Sequence, residues 1–176
     1  SGWSYKRSLL DPMCGSGTIL FEAGMIARNT PICKFRRDFA FKKFINGDFE
    51  FEEREVELNL YGVEKFRKHV EGARKIAEFV GIDVRIMEGE AERINEYFNE
   101  IDYIITNPPY GLRIGRKKII ERLYSSFLRA AAEIIKEKIV VITAETKIFE
   151  KYAKEFFDVK KFNVRYRGLM TGGFCL

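Results

Sequence analysis

The sequence predicts a doubly wound α/β protein: a Rossmann-like, mostly parallel sheet with helices on both faces, three layers deep, with an antiparallel edge strand. Three observations predict it. Short apolar runs alternate with longer stretches of helical periodicity. Successive short runs end in polar residues, which would gather on one edge of a parallel sheet. The chain closes with strand–turn–strand, which suits an antiparallel edge.

The elements follow in order. "RSLLD" (7–11) is the first strand, ending at Asp11. Residues 18–28 follow at helical spacing, with Ile19, Leu20, Ala23 and Ala27 on one face. "VELNLYGV" (56–63) alternates as a second strand and runs into Glu64. Phe66, Val70, Ala73, Ala77 and Val80 mark a helix that Gly81 stops. "VRIME" (84–88) and "IDYIIT" (101–106) are the third and fourth strands. Ile119, Ile120, Leu123, Phe127, Ile134 and Ile135 carry a long helix, and "IVVITA" (139–144) is the fifth strand. Phe149, Tyr152, Ala153 and Phe156 form a last helical face before the closing pair of strands, the last of which reads as cut short. Residues 30–55, rich in Phe, Lys and Arg, break the alternation and read as an insertion at the carboxyl edge of the sheet.

A chain of 176 residues suits one domain with a substantial core. With 46% hydrophobic and 32% charged residues it has an ordinary globular composition, which argues against disorder. The excess of 31 Lys+Arg over 26 Asp+Glu permits a polyanionic partner without demanding one. Cys14, Cys33 and Cys175 form no CxxC pair, and His69 is the one histidine, so no metal site is expected. The same cysteines suit a reducing cytoplasm. No apolar run reaches the roughly 20 residues a membrane span needs, so no membrane association is expected.

The chemistry concentrates where predicted strands end. "DPMCGSGTI" (11–19) places an acid and then Gly15-Ser16-Gly17 between a strand and a helix, where a glycine turn lets a ligand approach the backbone. No Gly-Lys-Ser/Thr follows, so it is not a phosphate loop, and Leu20 breaks the GxGxxG pattern. The glycines alone would equally suit a tight turn. Glu64, at the end of the second strand, stands where a carboxylate can accept hydrogen bonds from both hydroxyls of a ribose. Glu90 follows the third strand, where a helix N-terminus would also favour it. Asn107-Pro108-Pro109-Tyr110 follows the fourth, and two prolines without N–H groups cannot extend a strand ladder. Taken together, Asp11, Glu64, Glu90 and Asn107 suggest a nucleoside site. Arg113, Arg116, Lys117 and Lys118 come directly after it and are placed to meet phosphates. The basic and aromatic run 34–43 reads equally well as an amphipathic helix or as an RNA contact.

DPMCGSGTI, Glu64, Glu90 in "GEA" and NPPY, in that order, resemble the class I S-adenosylmethionine-dependent methyltransferases that modify exocyclic amino groups. The first motif, with "NPPYGLRIGRK", is similar to the RNA guanine-N2 methyltransferases that carry a THUMP domain, and to archaeal and bacterial tRNA enzymes acting on an acceptor-stem guanosine. The resemblance implies a catalytic domain over 1–176, with the THUMP domain absent, and so a fragment. It implies S-adenosylmethionine as cofactor, S-adenosylhomocysteine as product and tRNA as partner, with the protein a cytoplasmic monomer. By the same resemblance, Asp11 and the backbone of Met13, Cys14, Gly15, Ser16 and Gly17 hold the methionyl part, Glu64 the ribose and Glu90 the adenine, with Thr18 and Asn107 also binding the cofactor. Asn107 and Pro108 would accept hydrogen bonds from the target amine, and Tyr110 would stack on the target base. Adenine-N6 and protein glutamine-N5 methyltransferases are rival expectations. So is an inactive nucleic-acid-binding module that retains the fold.

Overall fold

A computed structural model describes residues 1–31, 34–35, 51–109, 117–166 and 169–176. The elements run β1 (Leu9–Asp11), α1 (Thr18–Arg28), β2 (Leu60–Glu64), α2 (Arg67–Val80), β3 (Arg85–Glu88), α3 (Ile94–Tyr97), β4 (Ile101–Thr106), α4 (Lys117–Ile134), β5 (Ile135–Thr143), α5 (Thr146–Ala153), β6 (Lys160–Tyr166) and β7 (Leu169–Cys175). One seven-stranded sheet has the order β3-β2-β1-β4-β5-β7-β6. β1 to β5 are parallel neighbours, while β7 pairs antiparallel with both β5 and β6.

Successive residues of a strand point to opposite faces, and this divides the core in two. Leu9, Leu60, Ile86 and Tyr103 pack with α1 and α2 through Leu20, Phe21, Val70 and Ala73. Leu10, Val63 and Ile104 pack on the other face with α3, α4 and α5 through Ile94, Tyr124, Phe127, Leu128 and Phe149. The three-layer expectation is met. The central strands are buried on both faces, so they read as continuous apolar runs.

Several boundaries differ from the sequence reading. β2 begins at Leu60, level with Leu9 at the start of its partner β1, and of residues 56–59 the Asn59 carbonyl still accepts the Leu9 N–H at 2.9 Å. Ile135 opens β5, and the helix that was expected to include it ends at Ile134. The early part of β5 is disguised by charge: the Lys136 ammonium pairs with Glu100 at 2.6 Å, and the Tyr103 hydroxyl donates to Glu137 at 2.7 Å. Phe66 and Ile119, expected on core faces, are 60% and 63% exposed. Each flanks or opens its helix, where the core-facing stripe has not yet begun. β7 pairs with both neighbours up to Cys175, and Leu176 exchanges two hydrogen bonds with Ile139. Most of the 30–55 insertion lies outside the described residues.

Candidate active site

β1 sits at the point where the chain reverses direction across the sheet, with β2 on one side and β4 on the other. At such a switch point the loops leaving neighbouring strands part and open a crevice at the carboxyl edge. The ends of β1, β2 and β4 therefore meet there by topology alone.

After Asp11 the chain makes a tight turn into α1. Gly15 and Gly17 adopt φ of 54° and 83°, left-handed values that a side chain would strain. Gly17 N–H donates to the Cys14 carbonyl at 2.7 Å, and Cys14 N–H donates to the Val63 carbonyl at 3.1 Å. The turn is thus seated on β2. Glu64 completes that seat. It is 8% exposed, and its Oε2 accepts the Gly15 N–H at 3.0 Å while Oε1 accepts the Phe66 N–H at 3.0 Å. His69 Nδ1 stands 3.3 Å from Oε1 from the outer side, its own side chain 57% exposed.

Asp11 lies beneath the turn at 2% exposure. Its Oδ1 accepts the Thr106 hydroxyl at 2.7 Å and the Met13 N–H at 3.2 Å. Burial pushes its carboxyl up to about 7; the hydrogen bonds from Thr106 and Met13 oppose that shift and the nearby Glu64 carboxylate adds to it. The Cys14 thiol is pushed up to about 12, first by burial and then by Asp11 and Glu64. A thiol held protonated in this way is packing, not a nucleophile.

Thr106 is the last residue of β4, and Asn107-Pro108-Pro109 follows it with Asn107 and Pro109 exposed and Pro108 buried. The buried Tyr124 hydroxyl of α4 lies 3.4 Å from the Pro109 carbonyl and shares a hydrogen bond of 2.9 Å with Thr143 at the end of β5. At the opposite end of the same edge, Glu90 is held by Lys65 at 2.7 Å with both side chains exposed. That pairing holds the Glu90 carboxyl below its ordinary range, mainly through the Lys65 hydrogen bond and charge.

Of the residues singled out from sequence, the structure brings together Asp11, Met13, Cys14, Gly15, Gly17, Glu64 and the Asn107-Pro108 tip along the ends of β1, β2 and β4. Ser16 and Thr18 stand on the outside of the turn, their hydroxyls 3.2 Å apart. Lys117 and Lys118 are exposed on the first turn of α4. Tyr110, Arg113 and Arg116 lie outside the described residues. Sequence reasoning missed Thr106, Tyr124 and Thr143. In the sequence Thr106 reads only as the hydroxyl residue that ends an apolar run. Tyr124 left no signal, sitting in an ordinary helical stripe.

Among the described residues, no group of three or more His, Cys, Asp and Glu could hold a metal ion, and no helix is long and apolar enough to cross a membrane. A cleft of about 620 Å³ opens at the outer edge of β3, lined by Tyr61, Arg74, Arg85, Met87, Tyr97 and Phe98 among others. None of Asp11, Glu64, Glu90 or Asn107 lines it. Its volume gives it no chemistry: Arg74 is committed to the Ile86 carbonyl and Arg85 lies over the Tyr61 ring.

Known proteins resemble this chain in sequence and fold. Residues 1–171 match the family UPF0020, described as the RMKL-like methyltransferase domain. A tRNA (guanine(6)-N2)-methyltransferase of Archaeoglobus fulgidus is 47% identical over 96% of the chain, and one of Methanocaldococcus jannaschii is 42% identical over all of it. The chain spans about half the length of these relatives, 43% and 50%. Among solved structures, SMU.472 complexed with SAH superposes with a TM-score of 0.81 at 27% identity, covering 99% of this chain and 49% of that one. TrmN from Thermus thermophilus superposes at 0.72 with 24% identity, covering 96% and 43%, a likeness of fold. The chain belongs to the RMKL-like methyltransferase domain family.

Proposed function

We propose that this chain is the catalytic domain of an enzyme that transfers a methyl group from S-adenosylmethionine to the exocyclic N2 of a guanosine in tRNA. One observation carries the reading. The Asn107-Pro108 tip leaves β4 directly beside the glycine turn that leaves β1, joined to it by the Thr106–Asp11 hydrogen bond. The archaeal relatives' names supply the base and the RNA.

The residues fit such a cofactor. A carboxylate offers about four acceptor positions, and Glu64 uses two on the fixed N–H groups of Gly15 and Phe66. A third faces His69, whose exposed ring can yield it, so two ribose hydroxyls can be accepted. The left-handed turn 15–17 brings backbone close to a ligand, with Met13, Cys14, Ser16 and Thr18 around it and Asp11 beneath. Asp11 and Glu64 set a negative field that suits a cation. Glu90 can accept from an adenine amino group once Lys65 releases it or shares it. When bound, the cofactor supplies a methyl group on a positively charged sulfur.

The chain's own work lies at the acceptor. An exocyclic guanine amine is a poor nucleophile because its lone pair is delocalised into the ring. Hydrogen bonds from its two N–H groups to the Asn107 side-chain oxygen and the Pro108 carbonyl would turn the nitrogen towards tetrahedral geometry and localise that pair. The fixed φ of proline orients the carbonyl beforehand, so no ordering cost falls at the moment of reaction. Tyr110 would stack on the extruded base, a contact worth about 1–3 kcal/mol in single-strand binders. Arg113, Arg116, Lys117 and Lys118 would meet the flanking phosphates. A THUMP domain elsewhere in the protein would present the tRNA, and the site of action would be the cytoplasm, with one copy of the chain sufficient.

The test is to incubate the full-length protein with methyl-labelled cofactor and unmodified tRNA, rRNA or DNA, and to identify the labelled nucleoside. N2-methylguanosine in tRNA is expected. Labelled N6-methyladenosine, or no label in RNA, overturns the reading.

A further inference from the structure

Resting on that reading, we propose that Thr106 is a positioning residue for methyl transfer: its hydroxyl, bonded to Asp11, locks the acceptor tip of β4 to the cofactor turn of β1. Registered pairing between β1 and β4 runs only from Leu9↔Tyr103 to Leu10↔Ile104. It stops one residue short of Asp11 and two short of Thr106, where the two functional loops begin. From there the sheet no longer fixes the loops relative to each other. The hydrogen bond at 2.7 Å between side chains 95 residues apart does so instead. Thr106 is 1% exposed and Asp11 2%, so water does not compete for this bond.

The same Asp11 oxygen accepts the Met13 N–H, which means one atom holds both the start of the cofactor turn and the residue before Asn107. Threonine suits the task better than serine because its branched Cβ restricts χ1 and so aims the hydroxyl. Alignment of the two loops matters because a misplacement of about 1 Å can cost roughly 10²-fold in rate. The bond therefore acts on the orientation of the methyl donor and the amine towards each other, and leaves the affinity for each unchanged.

Thr106→Val removes the hydroxyl and keeps the shape. In the full-length protein, assayed at about pH 9 so that Asp11 stays ionised without the Thr106 hydrogen bond, it is expected to lower single-turnover methyl transfer by about 10- to 100-fold, while the cofactor Kd and the KM for RNA stay within about threefold. Thr106→Ser should recover most of the rate, and Thr106→Ala serves if the valine variant does not fold. Hydrogen exchange followed by mass spectrometry gives a readout that needs no substrate. Removing the hydroxyl in β4 should raise exchange in the peptide covering residues 11–18. A wild-type rate in the valine variant, a loss confined to Kd or KM, no recovery with serine, or unchanged exchange over 11–18 would each overturn the proposal. Rates are scored on whichever nucleoside the wild type methylates, so a wrong target base leaves this test intact. If the wild type methylates nothing, the proposed function falls and exchange over 11–18 alone decides the proposal.

Discussion

Two ends of one sheet edge are built by opposite means. Between β1 and β4, Asp11 and Thr106 meet at 2% and 1% exposure through a hydrogen bond of 2.7 Å. Between β2 and β3, Lys65 and Glu90 also meet at 2.7 Å, but with side chains 60% and 42% exposed. Similar distances have very different consequences. A buried bond is costly to leave unmade, whereas an exposed ion pair is screened and exchanges readily with water. On the proposed reading, methyl transfer would take place at the rigid, buried end, and the open end would receive the cofactor's adenine.

Breaking the rigid end at its tip should have the largest effect. Asn107→Ala is expected to reduce methyl transfer by about 10³-fold, comparable to removing one donor from an oxyanion hole, with cofactor affinity within about threefold. Rate assays beside calorimetric titration with cofactor check this. Retained turnover would place the acceptor elsewhere.

Glu64 lies between the two ends and should have an intermediate effect. Glu64→Gln turns an N–H donor towards the Gly15 or the Phe66 N–H, disturbing the turn and losing an acceptor. Cofactor Kd should rise about tenfold or more, equivalent to roughly 1.4 kcal/mol.

Asp11 sharpens the comparison through pH. Its folded-state value of about 7 lies above that of an exposed aspartate, so between about pH 4 and pH 7 the folded chain binds more protons than the unfolded one. Its contribution to cofactor-free stability is therefore greatest at low pH and declines as pH rises to about 7, then levels off. Asp11→Asn keeps an accepting oxygen and removes the charge. It should abolish that component of the pH dependence, raise cofactor-free Tm at pH 8, and weaken cofactor binding there. Denaturation curves of both proteins from pH 5 to pH 8 would show it. Identical pH slopes would contradict the burial of an ionisable Asp11.

The smallest effect belongs to the open end. Lys65→Ala should change cofactor Kd by no more than about threefold, and less at high salt, as for an exposed ion pair. A larger change at high salt would mean Lys65 touches the ligand itself.

The sequence made the architecture readable because buried parallel strands are apolar on both faces and their ends are punctuated by polar residues. Asp11, Glu64 and Asn107 could be placed on one edge by that punctuation alone. The β1–β4 bond was less visible, since a threonine at a strand end is unremarkable until the partner strand is known. Tyr124 reads as one more member of a helical stripe, and its hydroxyl gains meaning only when α4 lies across the end of β5. The beginning of β5 was hidden because Lys136, Glu137 and Lys138 look like a helix surface until Glu100 and Tyr103 are seen beside them.

The most direct test of the account is a crystal structure of the full-length protein with S-adenosylhomocysteine. The account predicts its ribose on Glu64 and its sulfur facing the Asn107 side chain across the turn 13–17, leaving room for an amine about 3–3.5 Å from the methyl position. A cofactor seated in the cleft at the outer edge of β3, or one whose sulfur faces away from Asn107, would contradict it.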